Sequence, residues 1–389
     1  MNNEEKYSLC ALNRIFGFEP KIGHALITNI GSAADIFRLT AKEQDSLLGP
    51  WSKYKGRICR KAVDLAAEEL EQLSRQGISF LGCTEEGYPD LLLECEDPSL
   101  GLYIRSATPA GKLFISRKRI AVVGTRDISP YGQEWCSRIV QELGKTREKP
   151  VIVSGLALGT DICAHHNAVE SGLPTIAVMA TGPETVYPHR HRAFAERLAA
   201  TEGCALITDY PPGTAPLAIH FLRRNRIIAG LSDSTILIES RIKGGGMMTC
   251  RLAFSYNREV YALPGRIDDP RSQGCNHLIR EKMAEAIESA DSLIDSLRLK
   301  SVGTRSRGIS SAEIIRELLG ESQDARTISE LAVLLDHIRK NRGITVDELS
   351  AAVGSSYSRI RQLTGLLEME SIISIDLMQR CTVNTRIYR

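Results

Sequence analysis

The chain has 389 residues, of which 43% are hydrophobic and 25% charged, and its formal net charge is +2. This composition is typical of a soluble globular protein with two or three domains. The small net charge argues against a histone-like or tail-driven polyanion binder, so any affinity for a polyanion must come from a local patch.

The ten cysteines are scattered and form no CxxC pair. The sequence therefore predicts neither a zinc ribbon nor a disulfide framework. The N-terminus lacks the pattern of a signal peptide, and no apolar run reaches the ~18 residues that a membrane helix requires. We expect a reduced, cytoplasmic protein that does not span a membrane.

Residues 1–77 are expected to form a helical domain. In the stretch FGFEPKIGHALITNIGSAADIF, glycines interrupt helical spacing at positions 17, 23 and 31. A helix, a glycine-bearing hairpin and a second helix can offer backbone N–H groups to a nucleic-acid phosphate. The same pattern is also compatible with a small helical bundle used for packing or dimerisation, and the spacing alone does not decide between the two.

Residues 78–297 alternate apolar strands with helices, which predicts a doubly wound parallel sheet buried on both faces. Ligands of such sheets bind at the carboxyl ends of the strands. The predicted strands are Ile120–Val123, Val151–Val153, Thr175–Met179, Ala205–Thr208, Thr235–Ile238 and Glu259–Leu263.

Residues 298–324 are predicted to form a linker, because residues 298–313 are rich in Ser, Gly and Arg. Residues 325–389 follow as a third domain. In it, a helix, a tight turn at Gly354, a second helix and a strand match the helix-turn-helix of a winged-helix domain.

Three glycine-bearing segments follow predicted strands and form a basic rim at one sheet edge. In the first, Gly124 permits close approach of a ligand and Arg126 offers a fork to phosphate, unless Arg126 instead pairs with a carboxylate. In the second, Gly155 and Gly159 flank a turn that leads into a helix. The third combines the basic run 223–226 with the glycines 244–246.

The rim carries no recognisable catalytic motif. Walker, dinucleotide-binding, GxSxG and HExxH patterns are all absent from the sequence. His165 and His166 are adjacent on a helix and point about 100° apart, so a structural role for His165 is the better interpretation. We therefore expect a phosphate-holding site that uses no cofactor, no metal and no catalytic residue.

The chain resembles the DNA-processing protein A (DprA/Smf) family of single-stranded-DNA-binding mediators that load the RecA recombinase. The resemblance covers most of the chain. YPDLL and DPSLGLYIR match the entry to the central domain of the family. Seven segments then follow in the family's order, namely AVVGTRDISPYG, VSGLALGTDICAHHNAV, TIAVMATGPETVYP, FLRRNRIIAGLS, ILIES with GGGMMT, VYALPG and GCNHLI.

The resemblance implies an extended Rossmann-like domain, preceded by a SAM or helix-hairpin-helix domain and followed by a winged helix. It also implies a homodimer, single-stranded DNA in a basic pocket, delivery of RecA, and a role in natural transformation and competence. The expected DNA-binding residues are Gly124, Thr125, Arg126, Ser154, Gly155, Arg190, Arg223, Arg224, Asn225, Arg226, Gly245, Gly246, Thr249 and Asn276.

The sequence departs from the family's pattern at several positions. Leu158 replaces a basic residue, His189 replaces a lysine, and Leu222 replaces a proline. The family's Ser-Gly-Ser-Leu-Ile-Thr reads GGGMMT here. Because two cations are lost or weakened, Arg190 and Arg223 are candidates to compensate for them.

Two other functions stay open from the sequence. The first is a nucleoside-monophosphate-processing enzyme of the Rossmann-like lysine-decarboxylase-like group, although Glu239 lies before the glycine run rather than after it. The second is a sequence-specific transcription factor that uses the C-terminal winged helix. The favoured hypothesis is a non-catalytic single-stranded-DNA-binding recombination mediator.

Overall fold

The computed structural model describes residues 3–115, 117–300, 311, 315–316, 319, 324–341, 343–370, 372–376 and 378–383. The chain divides into two compact units, Met1–Ser301 and Val302–Arg389. Most of the predicted linker lies outside the described residues. Among those that are described, no helix is long and apolar enough to cross a membrane.

The first unit begins with a helical segment. Its helices are α1 (Asn3–Phe16), α2 (Pro20–Ile30), α3 (Ala33–Ile36), α4 (Ala41–Leu48) and α5 (Arg60–Arg75). Gly31 ends α2 in the left-handed conformation with φ of 92°, which a glycine adopts without strain. The Thr40 and Glu43 side chains form a reciprocal capping box that begins α4.

The strands of the first unit alternate with helices along the chain. The strands are β1 (Ile78–Gly82), β2 (Gly101–Arg105), β3 (Arg119–Val123), β4 (Val151–Ser154), β5 (Thr175–Val178), β6 (Ala205–Thr208), β7 (Ser234–Leu237), β8 (Glu259–Ala262) and β9 (Glu285–Ala286). The helices are α6 (Asp90–Leu93), α7 (Pro130–Gly144), α8 (Thr160–Glu170), α9 (Arg192–Ala200), α10 (Ala218–Leu231), α11 (Gly245–Ser255), α12 (Gln273–Arg280) and α13 (Ala290–Ser296).

These strands form one sheet in the order β1-β2-β6-β5-β4-β3-β7-β8-β9. The strands from β6 to β9 are parallel, with Ile120 opposite Ile152 on one side and Ser234 on the other. The predicted parallel sheet is therefore confirmed. The sequence did not predict β1 and β2, which extend the sheet beyond β6: β2 is antiparallel to β6, and β1 is antiparallel to β2.

One hydrophobic core joins the helical segment to the sheet. Leu9, Leu12 and Phe16 of α1 belong to the same buried cluster as Val153 and Ile207. The predicted boundary at residue 77 thus falls between α5 and β1, but the residues on its two sides share one core.

The predicted linker begins too early. Leu299 is 5% exposed in the core formed with α7 and α13. The Arg147 N–H donates to the Lys300 carbonyl at 2.7 Å. Residues 298–300 therefore complete the first unit.

The second unit contains α14 (Ala325–Lys340), β10 (Ile344–Thr345), α15 (Val346–Val353), α16 (Tyr357–Met369), β11 (Ile373–Ile375) and β12 (Arg380–Val383). Gly354 ends α15 at φ of 67°, so the turn between α15 and α16 lies where the sequence predicts it. The three short strands are antiparallel, in the order β10-β12-β11.

Candidate nucleic-acid interface

A pocket of about 680 Å³ opens at the carboxyl edge of the sheet, where the strand order reverses. After β3, the chain builds β4, β5 and β6 on one side and then returns through α10 to place β7 on the other side. Such a reversal leaves a crevice, and ligands of open α/β sheets bind there. The loops after β3, β4 and β7 and one face of α10 line the pocket.

The first backbone N–H groups of α11 face the pocket, and no group of the described chain accepts a hydrogen bond from them. Gly244, Gly245 and Gly246 line the pocket, and no side chain caps the helix at Gly244. Within the described part of the chain, the N–H groups of Gly245, Gly246 and Met247 have no hydrogen-bond acceptor. Free amides and the positive end of the helix dipole together favour an anion.

Gly246 is required because two backbone segments meet there. A methyl group on Gly246 would lie 3.2 Å from the Gly124 Cα and closer still to the Leu237 side chain. The glycines thus allow the loop after β3 and the start of α11 to form adjacent walls of the pocket.

The starts of α7 and α8 are engaged by other groups of the chain. Ser129 caps α7 by accepting from the Gly132 N–H at 3.1 Å. The Glu239 carboxylate accepts from the Ser129 N–H at 2.9 Å and the Ser129 hydroxyl at 2.5 Å. At α8, the Thr160 N–H donates to the Thr125 carbonyl at 3.1 Å. Glu239, only 1% exposed, is therefore a capping residue for α7.

Gly159 lets the loop after β3 sit on α8. Its φ of 73° is in the left-handed region, and a side chain there would collide with the carbonyl oxygens of Thr125 and Arg126. This contact holds the backbone from which the Arg126 side chain projects.

Arg224 is a buried cation that has no ion pair in the described structure. It is 3% exposed and lines the pocket. One guanidinium nitrogen donates to the Val178 carbonyl, while Nε has no partner. Burial lowers the pKa of Arg224 to about 10, which the carboxylate of Asp161 opposes. Arg224 remains charged at neutral pH, and a buried charge without a counter-ion is costly unless a ligand supplies one.

Four cationic side chains line the pocket against one carboxylate. They are Arg126, Arg224, Arg241 and Lys243, and the carboxylate is Asp161. Burial raises the pKa of Asp161, and the charge of Arg224 opposes that shift. The excess of positive charge fits a polyanion.

Two aromatic rings stand at the mouth of the pocket. The rings of Tyr187 and Phe221 lie 5.4 Å apart, edge to face, and Tyr187 is 46% exposed. The Arg126 guanidinium lies 5.2 Å from the centre of the Phe221 ring. A cation held on an aromatic ring at an open mouth can contact a phosphate and a base together.

Of the predicted DNA-binding residues, Gly124, Thr125, Arg126, Arg224, Asn225, Gly245, Gly246 and Thr249 line the pocket. Arg226 does not, and its prediction as a DNA contact is wrong. It is 5% exposed and forms ion pairs with Asp209 and Asp97, with a further bond to Ser99 at 3.1 Å. Side chains two residues apart on a helix point to nearly opposite sides, so Arg226 points into the core while Arg224 faces the pocket.

The remaining predicted contacts also lie outside the pocket lining. Arg223 donates to the Gly17 carbonyl and Ser154 to the Val122 carbonyl. Asn276 makes two bonds to the backbone of Gly265, and Arg190 is exposed. Arg190 and Arg223 are therefore not replacements for the lost cations inside the pocket.

Gly155 has a supporting role. The Arg224 guanidinium lies directly against its Cα, where a side chain would collide with it. Arg224 can therefore occupy its buried position only because residue 155 has no side chain.

His165 is structural. It is fully buried, and its Nδ1 lies 2.7 Å from the Thr175 hydroxyl. Burial, with the nearby charge of Arg224, lowers the pKa of His165 to about 3, so the ring is neutral at pH 7. In the described part of the chain, no three His, Cys, Asp or Glu side chains are grouped to hold a metal ion.

The sequence analysis missed Arg241, Lys243, Tyr187 and Phe221. Arg241 and Lys243 stand between β7 and the glycine run, so the rule that ligands bind where the strand order reverses would have found them once β7 was placed beside β3. For the aromatic rings there was no comparable signal, because their meeting depends on how α10 packs.

Comparison with known proteins identifies the family. The family model described as DNA recombination-mediator protein A matches residues 79–298, more than half the chain. Protein Smf of Escherichia coli is 37% identical over 222 residues. That match spans 57% of this chain and 57% of the Escherichia coli protein's own length.

Two solved structures are similar. DNA processing protein A from Streptococcus pneumoniae matches with a TM-score of 0.59 and 29% identity, over 76% of this chain and 98% of that chain. DNA processing protein A from Helicobacter pylori, described for its single-stranded DNA binding mode, matches with a TM-score of 0.50 and 30% identity, over 57% of this chain and 95% of that chain. Because the family model matches more than half of the chain, the chain belongs to the DNA recombination-mediator protein A family.

Proposed function

We propose that this chain binds single-stranded DNA in the pocket at the carboxyl edge of the sheet and acts as a recombination mediator. The observation that carries the proposal is the pairing of Arg224, buried without an ion pair, with the free amides of α11 in one pocket. Both features leave positive charge uncompensated, and a phosphate would satisfy both at once.

The mouth of the pocket favours single strands over duplex. Tyr187 and Phe221 offer ring faces and edges beside Arg126. Nucleobases stack on such rings only when they are unpaired, and stacking tolerates any base. The single-stranded DNA binding described for the Helicobacter pylori relative supports the same ligand class.

We further propose that the pocket holds DNA without cleaving it. Among its described lining residues there is no Cys, His or Glu, and the carboxylate is that of Asp161, beside Arg224. Glu239, the candidate for a nucleotide-processing enzyme, is engaged by Ser129 instead. A site with donors but no activated attacker binds phosphate and leaves the bond intact.

Delivery of RecA, a homodimer and a role in natural transformation are proposals that rest on family resemblance. So are the assignments of residues 1–77 to a SAM or helix-hairpin-helix domain and of residues 325–389 to a winged-helix domain. The five helices of the first segment support the former assignment, and the α15–Gly354–α16 turn with its three-stranded sheet supports the latter.

A charge placed at the start of α11 tests the DNA proposal. A Cβ added to Gly245 would meet nothing within 4 Å, so a substitution there does not displace the backbone. Gly245→Asp places a carboxylate in the pocket, while Gly245→Asn has nearly the same shape without the charge. Both residues are tolerated at a helix start, and the aspartate even favours it.

We expect Gly245→Asp to bind a labelled oligothymidylate at least tenfold more weakly than Gly245→Asn, measured by fluorescence anisotropy. A duplex of equal length should bind weakly to both variants. RecA-filament formation on the same oligonucleotide, with and without this protein, measures the mediator role. Equal affinity of the two variants for the single strand would refute the pocket as the DNA site.

Catalysis is tested separately. We expect no base release from AMP, GMP or cytidine monophosphate and no nuclease activity with magnesium. Base release above a no-protein control, lost in Glu239→Gln, would establish the enzyme instead.

A further inference from the structure

Exposed apolar side chains gather beside the mouth of the pocket. We call Phe18, Leu217, Ile219 and Leu222 the apolar rim. Their exposed fractions are 61%, 55%, 59% and 43% respectively. Scattered exposed apolar residues need no explanation, but several of them beside a basic pocket indicate an interaction surface.

The rim is continuous with the pocket. Leu222 itself lines the pocket. On α10, Ile219 lies three residues before Leu222 and four before Arg223, so the three side chains are neighbours on the helix surface. The Arg223 guanidinium lies 4.7 Å from the centre of the Phe18 ring.

Phe18 is held in a fixed position by the turn between α1 and α2. Arg223 donates to the Gly17 carbonyl, directly before Phe18. The Phe18 ring also lies 5.7 Å from the His220 ring and 6.0 Å from the Tyr210 ring. A ring anchored on three sides and still 61% exposed loses little freedom when a partner stacks on it.

Charge at the rim favours a nucleic acid. Arg223 contributes a cation over the ring, and Glu19, the carboxylate next to Phe18, is engaged by Lys53 at 2.8 Å. The arrangement repeats the one at the pocket mouth, where Arg126 lies over Phe221. Cations interleaved with rings suit a strand that presents phosphates and unpaired bases in turn.

We propose that the apolar rim is a second subsite for the same DNA strand, in which unpaired bases leaving the pocket pack on Leu222, Ile219 and Phe18. This inference rests on the proposed function and adds a base-binding subsite built partly from the helical segment. The rim's occupant is the nucleobase, since the phosphates bind in the pocket. Duplex DNA cannot use the rim because its bases are stacked inside the helix.

The test compares DNA with and without bases. One probe is an oligothymidylate, and the other has the same length and charge but carries abasic residues outside a central stretch. The variants are Phe18→Ala and Ile219→Ser, with Phe254→Ala as control. Phe254 is 47% exposed on α11 and belongs to neither the pocket lining nor the rim. Circular dichroism checks the fold of each variant.

The wild type should lose affinity when the outer bases are removed. Phe18→Ala should bind the complete oligothymidylate roughly 5- to 150-fold more weakly than the wild type, as expected for one lost base–aromatic stack. The same variant should lose little more on the abasic probe, because its stacking partner is already gone. Phe254→Ala should behave as the wild type on both probes.

The outcomes separate the two proposals. If Gly245→Asp abolishes binding but Phe18→Ala and Ile219→Ser bind both probes as the wild type does, the rim subsite is refuted and the pocket stands. Failure of the wild type to bind any single strand refutes the proposed function itself. If the rim variants change only the sedimentation coefficient of the protein, the rim contacts a second copy of the chain, and the base subsite is refuted.

Discussion

Arg224 and Arg226 stand two residues apart on α10, and both are almost fully buried, yet their surroundings differ completely. Arg226 is surrounded by carboxylates, since Asp209 and Asp97 pair with it and Ser99 adds a hydrogen bond. Arg224 has a backbone carbonyl and a free Nε, with an open pocket before it. Arg226, with its counter-ions in place, therefore belongs to the fold, whereas Arg224, which has no ion pair and faces the pocket, is suited to an anionic ligand.

The same contrast separates the helix N-termini. Glu239 and Ser129 occupy the start of α7, so that end is closed to other anions. The start of α11 has no such cap. What distinguishes the candidate site is that unsatisfied donors from two elements, Arg224 of α10 and the start of α11, face the same pocket.

Loss of the ion pairs of Arg226 should cause the largest loss in the free energy of unfolding. Arg226→Met leaves Asp209, which is 4% exposed, without its cation. Removing one partner of a buried pair costs about 3–5 kcal/mol of unfolding free energy. Urea denaturation measures the loss.

The matched control is Arg266→Met, which removes an exposed pair with Asp268. Exposed pairs contribute about 0–1 kcal/mol. Equal destabilisation by the two variants would mean that the Arg226 network does not hold the fold.

Arg224→Met should weaken DNA binding more than it weakens the fold. It removes a buried charge that has no ion pair, so the free energy of unfolding should change by less than in Arg226→Met. Affinity for a single-stranded oligonucleotide should fall by about 1.5–3 kcal/mol, the range for hydrogen bonds to charged groups. Anisotropy titration beside urea denaturation gives both quantities. A stability loss like that of Arg226→Met, with affinity intact, would make Arg224 a structural residue.

The sequence predicted the sheet well and the site in part, for identifiable reasons. Strands such as Ala205–Thr208 are buried along their whole length and appear as apolar runs. Arg224 and Arg226 look alike in the sequence, because only the packing of α10 decides which one meets Asp209. The edge strand β1 pairs on one side only and includes the exposed Ser79, so it lacks the continuous apolar run of the inner strands.

Acid should weaken the fold through His165, which lies near Arg224. The pKa of His165 is lowered to about 3 by burial first and then by the Arg224 charge. Between pH 6.5 and 3 the unfolded chain binds a proton at this site that the folded chain does not bind. Stability is therefore unaffected above pH 6.5 and is lost as the pH falls, by about 2 kcal/mol at pH 5.

His165→Gln removes this titration. Urea denaturation at pH 7 and pH 5 should show the wild type losing about 2 kcal/mol more than the variant over that interval. Parallel losses in both proteins would show that His165 takes up a proton equally in the folded and unfolded chains.

The smallest expected effect is a change in the salt dependence of DNA affinity, which should differ between cations inside the pocket and a cation outside it. Arg126, Arg241 and Lys243 line the pocket, whereas Arg190 is exposed but lies outside the lining. Each phosphate contact on a single strand contributes about 0.7 to the slope of log affinity against log salt concentration. Arg126→Ala, Arg241→Ala and Lys243→Ala should each flatten the slope by about that amount for every base sequence, and Arg190→Ala should leave it unchanged. Anisotropy titrations over a salt series on two unrelated sequences measure the slopes. A flatter slope for Arg190→Ala alone would move the strand away from the pocket, whereas a loss confined to one sequence would show that the altered side chain reads a base.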